Sequence, residues 1–259
     1  MLAAATAVGG LALSGLMTAG AASASIHGSG THGPGSWSFH PDTGSHAIGR
    51  ITAAPTSNRN FAGYEPTVTA GSATSSAASF TVPTLACTTA NRGIAADAGV
   101  AANNYKTFSV AGVFIGCVNG KAVYFPFLTA NGAEANYTST HFSAGDVINL
   151  SASVTTSGFT VQVTDVTKNV SVTNTITGAG ASANAAWIGN NAWVTSAGLL
   201  DGVPNFAKLT FSNCLIDGTA LQSGNPQKYQ RVNRSGVVQI TTGGFWPGGT
   251  AFTTHYQHI

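Results

Sequence analysis

From Asn60 onward the sequence is a succession of short β-branched and aromatic runs separated by turn residues. No window carries the apolar period of a long helix. The runs fall at 79–83, 109–117, 122–128, 147–154, 159–164, 208–211, 237–241 and 250–256. Within 146–154 and 160–164 apolar and polar residues alternate, a period of two that buries one strand face and wets the other. Asn119-Gly120 lies between two apolar runs, and both residues tolerate positive φ, so it predicts a tight hairpin. Ser157-Gly158 gives a second turn signal. Many strands at short intervals predict an all-β sandwich or barrel, and the pattern alone does not separate the two.

A chain of 259 residues can bury a sizeable core as one domain. Only 7% of the residues are charged, but 43% are hydrophobic, which excludes disorder as the reason. The surface must be covered by Ser, Thr, Asn and Gly. Such a surface suits an extracellular protein and permits self-association. Net charge is +2 and no Lys/Arg cluster occurs, which argues against nucleic-acid binding.

The first 24 residues read as a secretory signal, uncharged between Leu2 and Ala24 and ending in Ala22-Ser23-Ala24, a small-residue cleavage site. The positive stretch that usually opens such a signal is missing. A membrane helix is the alternative, but Gly9, Gly10, Ser14, Gly15 and Gly20 interrupt the apolar run, so no span is expected after cleavage. Residues 25–59 form a Gly-, Ser- and His-rich leader. Its His27, His32, His40 and His46 match no compact ligand spacing, so no metal is expected. The remaining domain is 60–259.

Secretion permits a disulfide between two of the three cysteines. Cys87 follows one strand run and Cys117 sits at the lip of the hairpin, so this pair is predicted. Cys214 is then a free, buried thiol in a strand over 208–216. Three unpaired core thiols are the alternative.

Seven motifs in order resemble the glutamic endopeptidases, the G1 or eqolisin family. They are Asn60-Phe-Ala-Gly-Tyr64, Ser79-Phe-Thr-Val-Pro83, Ser143-Ala-Gly-Asp-Val-Ile148, 159–167 with its Asp165-Val-Thr167 ending, Ala186-Trp187-Ile188, 204–213, and 251–256. The resemblance implies a concanavalin-like jelly-roll sandwich of two antiparallel sheets with a groove on the concave sheet. Members use a Glu as general base toward a water and a Gln amide to hold that water and the developing oxyanion. The matching positions here are Asn190 and Val110. Alignment slippage does not change this, because no Gln occurs between Thr88 and Val161 and no Glu follows Glu134. Losing a base forfeits about 10²–10⁴ in rate, and losing an oxyanion donor about 10²–10³.

The resemblance therefore implies a groove without its catalytic pair, lined by Asp97, Val110, Tyr124, Phe127, Thr129, Trp187 and Asn190. Asp97 and Glu134 are the carboxylates that could serve a divergent hydrolase, a peptidase or glycosidase. The alternative is that Asp97 caps a turn and Glu134 is exposed. Asp146 and Asp165 match turn positions. Trp187 and Trp193 are either core residues or an aromatic platform. No Gly-x-Ser-x-Gly elbow supports a serine hydrolase. His141 reads as a surface residue, and His255 and His258 would lie on opposite strand faces, so neither suggests a metal. The expected function is a secreted, non-catalytic binding or structural module that takes an extracellular peptide or glycan without a cofactor.

Overall fold

A computed structural model describes residues 37–39, 54–66, 68, 74–102, 107–177, 183–195, 198–199 and 202–257. The signal segment, the leader histidines and His258 lie outside them. The strands are β1 (Trp37–Phe39), β2 (Thr56–Asn58), β3 (Phe61–Glu65), β4 (Ser75–Thr81), β5 (Arg92–Ala102) and β6 (Thr107–Val118). They continue with β7 (Lys121–Ala130), β8 (Ala133–Asn136), β9 (Val147–Thr155), β10 (Gly158–Asp165), β11 (Val170–Thr177) and β12 (Ala183–Thr195). The last six are β13 (Gly198–Leu199), β14 (Lys208–Ile216), β15 (Thr219–Ala220), β16 (Gln227–Val232), β17 (Val238–Thr242) and β18 (Phe252–Tyr256). One short 3₁₀ turn, Leu221–Gly224, is the helical element among the described residues.

Pairing runs without a break through β11, β10, β9, β4, β14, β18, β17, β16, β3, β12, β5, β6, β7 and β8. These pairs are antiparallel; β2 joins β16 in parallel. The sheet curls over so that its two halves face each other as a sandwich. Between them lies the main core, where Phe80, Leu150, Val161 and Phe211 of one half meet Ile94, Val113, Leu128 and Ile188 of the other. This is the all-β architecture that the runs predict, in the sandwich form that the resemblance implies.

Local chemistry sets the edges of the strands. Asn119 and Gly120 adopt φ of 51° and 75° in the β6–β7 hairpin, the left-handed backbone that this pair tolerates. Lys168 Nζ lies 2.6 Å from Asp146 and 3.9 Å from Asp165, joining the loop before β9 to the turn after β10. Burial alone would raise the Asp146 pKa, but the Lys168 ammonium and the Ser143 amide hold it below the usual range. Asp146 and Asp165 thus serve the turns.

Cys87 and Cys117 form a disulfide across 30 residues of sequence. Cys214 is fully buried, and burial pushes its thiol up to about 12, so it is inert as a nucleophile. Removing the cross-link with Cys87→Ala/Cys117→Ala should cost about 3–4 kcal/mol through the freed unfolded chain. The urea midpoint measures it; an unchanged midpoint would show that the link does not constrain the unfolded state.

The outer face of β9–β11 is wetted without ions. Ser153, Thr160 and Thr175 form one cross-strand row, Ser151, Gln162 and Thr173 a second, and Asn149, Thr164 and Ser171 a third. Hydrogen bonds join Thr160 to Thr175, Gln162 to Thr173 and Thr164 to Ser171.

Candidate functional site

Strands β12, β5, β6 and β7 carry buried side chains on both faces. One face belongs to the main core. The other holds a separate cluster containing Ala95, Val110, Phe114, Phe125, Phe127, Trp187 and Trp193. Because cross-strand partners point the same way, the register sorts this second face into rows. Trp187, Gly99, Val110, Thr129 and Glu134 form one row. Gly189, Asp97, Gly112, Phe127 and Asn136 form the next. Asn191, Ala95, Phe114 and Phe125 form the third.

Five of the seven residues expected to line the groove therefore share this face: Asp97, Val110, Phe127, Thr129 and Trp187. The other two do not. Tyr124 packs in the main core and donates its hydroxyl to the Pro83 carbonyl at 2.8 Å. Asn190 also points inward, where its Oδ1 accepts from the Thr254 hydroxyl at 2.6 Å. The cause is strand parity: Asn190 is three residues from Trp187, so it takes the opposite face. Asn191, four residues from Trp187, is the amide on the second face.

Glycines make room for the rings. A Cβ on Gly99 would lie 2.2 Å from Trp187 Cζ2, and one on Gly112 would lie 2.3 Å from Phe127 Cζ. Each aromatic thus lies across the bare backbone of a neighbouring strand. Trp193 stands edge-on to Phe114, Phe125 and Phe127, with ring centroids 4.9, 6.0 and 5.1 Å away.

Asp97 sits in the middle of β5, fully buried, and does not cap a turn. Trp187 Nε1 donates to its Oδ1 at 2.7 Å, and Asn191 Nδ2 donates to both oxygens at 3.0 Å. Burial pushes its carboxyl up to about 8, although Asn191 and Trp187 pull the other way. Glu134 is half-buried and accepts from Asn136 Nδ2 at 2.8 Å. Two buried polar atoms on this face, Thr129 Oγ1 and Trp193 Nε1, have no hydrogen-bond partner. The sequence reading omitted Asn191 and the two glycines, which the parity of β12 and the width of the rings would have indicated. No group of three metal-ligating side chains occurs among the described residues. No helix among them is long and apolar enough to cross a membrane.

A curled antiparallel sandwich of this form is shared with solved glutamic peptidases. Scytalido-glutamic peptidase, solved with a transition state analog inhibitor, superposes with a TM-score of 0.63 at 15% identity, over 77% of this chain and 99% of that one. SCP-B, an eqolisin-family peptidase solved with the tripeptide Ala-Ile-His, gives 0.60 at 16% identity over 77% and 99%. Aspergilloglutamic peptidase from Aspergillus niger gives 0.51 at 20% identity over 64% and 99%. In sequence, the profile of the Peptidase A4 family matches residues 59–253, and the chain belongs to that family. No curated protein is significantly similar in sequence.

Proposed function

We propose that this chain is a secreted, non-catalytic member of its family that binds an extended chain, peptide or glycan, on the second face of β12–β5–β6–β7. The supporting observation is the state of Asp97. It is the carboxyl at the centre of that face; it is fully buried, and its oxygens accept one hydrogen bond from Trp187 and two from Asn191. A general base must be ionised and within hydrogen-bond reach of a water, whereas burial keeps this carboxyl in its neutral form up to about pH 8. Val110 at the family's Gln position offers no donor, and Asn190 at its Glu position is neither basic nor on this face. Secretion rests on the signal-like segment 1–24 and agrees with the disulfide. The folded unit proposed is 60–259, preceded by the leader 25–59.

The alternative is a hydrolase using Asp97 or Glu134. Their strands are separated by β6 and β7, and three strand spacings amount to about 14 Å. Paired glycosidase carboxyls lie roughly 5–10 Å apart, so the spacing favours the non-catalytic reading. Casein digestion assayed from acid to mildly alkaline pH should yield no acid-soluble peptides above buffer. Cleavage that Asp97→Asn abolishes would overturn the proposal and establish the alternative.

A further inference from the structure

The continuous run of strand pairing ends at two margins, β8 and β11, and the two are built differently. β8 is four residues long and carries Glu134. Short edge strands and charged side chains are ordinary guards against stray pairing. β11 has neither guard. It runs for eight residues, Val170–Thr177, with no charge, no proline and no glycine. Its register with β10 is continuous from Val170 to Thr177, without a bulge. Among the described residues it pairs with β10 alone. A strand edge of this kind offers a row of N–H and C=O groups to another chain.

The residues of that edge select the chain it fits. Positions 171–177 read Ser-Val-Thr-Asn-Thr-Ile-Thr, a near-palindrome about Asn174. When two copies lie antiparallel with Asn174 opposite Asn174, Thr173 meets Thr175, Val172 meets Ile176 and Ser171 meets Thr177. Each of these pairs then occurs twice. Hydroxyl pairs and β-branched pairs are combinations that stabilise facing strands, and no like charges meet. The same chemistry already joins β11 to β10, where Thr160 bonds Thr175 and Thr164 bonds Ser171. On the inner face, Val172 and Ile176 pack against the main core yet stay half-buried at this margin. A second β11 covers them and carries the hydroxyl rows on into the β10 of the other copy.

We propose that β11 is the contact of a symmetric homodimer: two copies pair antiparallel through it about a two-fold axis at Asn174, joining their sheets into one. A two-fold contact requires a self-complementary patch, and the palindrome supplies it. The contact is one strand wide, so the dimer is weak and forms as concentration rises. It does not use the second face of β12–β5–β6–β7 and holds whether or not that face binds a ligand.

Sedimentation velocity of the full chain tests this. From about 1 to about 200 µM the weight-average mass should climb from one chain toward two. Thr173→Lys/Thr175→Lys sets lysine opposite lysine on both sides of the axis, so this variant should stay monomeric throughout. Thr173→Glu/Thr175→Glu should do the same. Mixed in equal amounts, the two variants should recover the dimer, because every lysine then faces a glutamate. Both substituted positions lie on the outer face, and unchanged far-ultraviolet circular dichroism spectra confirm that the variants fold. An unaltered chain that stays monomeric over the whole range would overturn the proposal. So would a dimer that persists in both variants, or a mixture that fails to pair.

Discussion

Trp193→Ala should lower stability by about 3–5 kcal/mol, the range for deleting a fully buried tryptophan. The ring is completely shielded and meets three phenylalanines edge-on. Its removal leaves a cavity that Phe114, Phe125 and Phe127 cannot close, because Phe127 is seated on Gly112 and Phe114 on Gly116. Trp193→Phe separates packing from polarity. It keeps an aromatic ring and removes the unpartnered indole N–H, so its loss should stay below about 1.5 kcal/mol. Urea midpoints measure both. A Trp193→Ala loss under about 1 kcal/mol would mean that the ring does not hold the second cluster together.

Stability should fall as pH rises from about 4 to about 8, and Asp97→Asn should remove most of that slope. The folded pKa of Asp97 is about 8, against 3.8 for the free group. The native state therefore binds one more proton than the unfolded chain between those values. Stability from this group is fully present below the lower value, is lost as pH rises through the upper one, and is constant above it. A displacement of this size corresponds to several kcal/mol at its limit. Asp146 acts in the opposite sense. Its lowered pKa contributes stability above the unfolded value that disappears as pH falls, so the two windows do not overlap. Asn at position 97 keeps the amide-to-amide bond if the Asn191 side chain rotates to accept. Urea midpoints at pH 4, 6 and 8 should diverge between the two proteins, and parallel curves would place the Asp97 titration elsewhere.

The alternating strands were legible in the residues, and so were the apolar and aromatic runs of β6 and β7; the small-residue strands β5 and β12 were not. β9 and β10 announce themselves by period two, and Asn119-Gly120 marks its hairpin. β5 reads Arg-Gly-Ile-Ala-Ala-Asp-Ala-Gly-Val-Ala-Ala, and β12 is similarly rich in small residues. A strand packed on both sides shows no alternation, and its small residues are there to receive rings from neighbours, so its character is set by tertiary contact. Family resemblance, and not periodicity, located parts of both. β11 was missed for the converse reason: its Ser-, Thr- and Asn-rich run lies half-exposed at the margin of the sheet.

The site was half legible for the same cause. Asp97, Val110, Phe127, Thr129 and Trp187 were grouped by their place along the family's strands, and the register unites them. Tyr124 and Asn190 were grouped with them by sequence position, but parity turns both inward. The resemblance implied a groove on this sheet. Val110, Phe114, Phe127 and Trp193 on that face are fully buried.

The hydroxyl rows on β9–β11 have a consequence for handling the protein. Water there is held by neutral groups that neither titrate nor gather counter-ions. Charge screening and buffer acidity therefore have no grip on that flank.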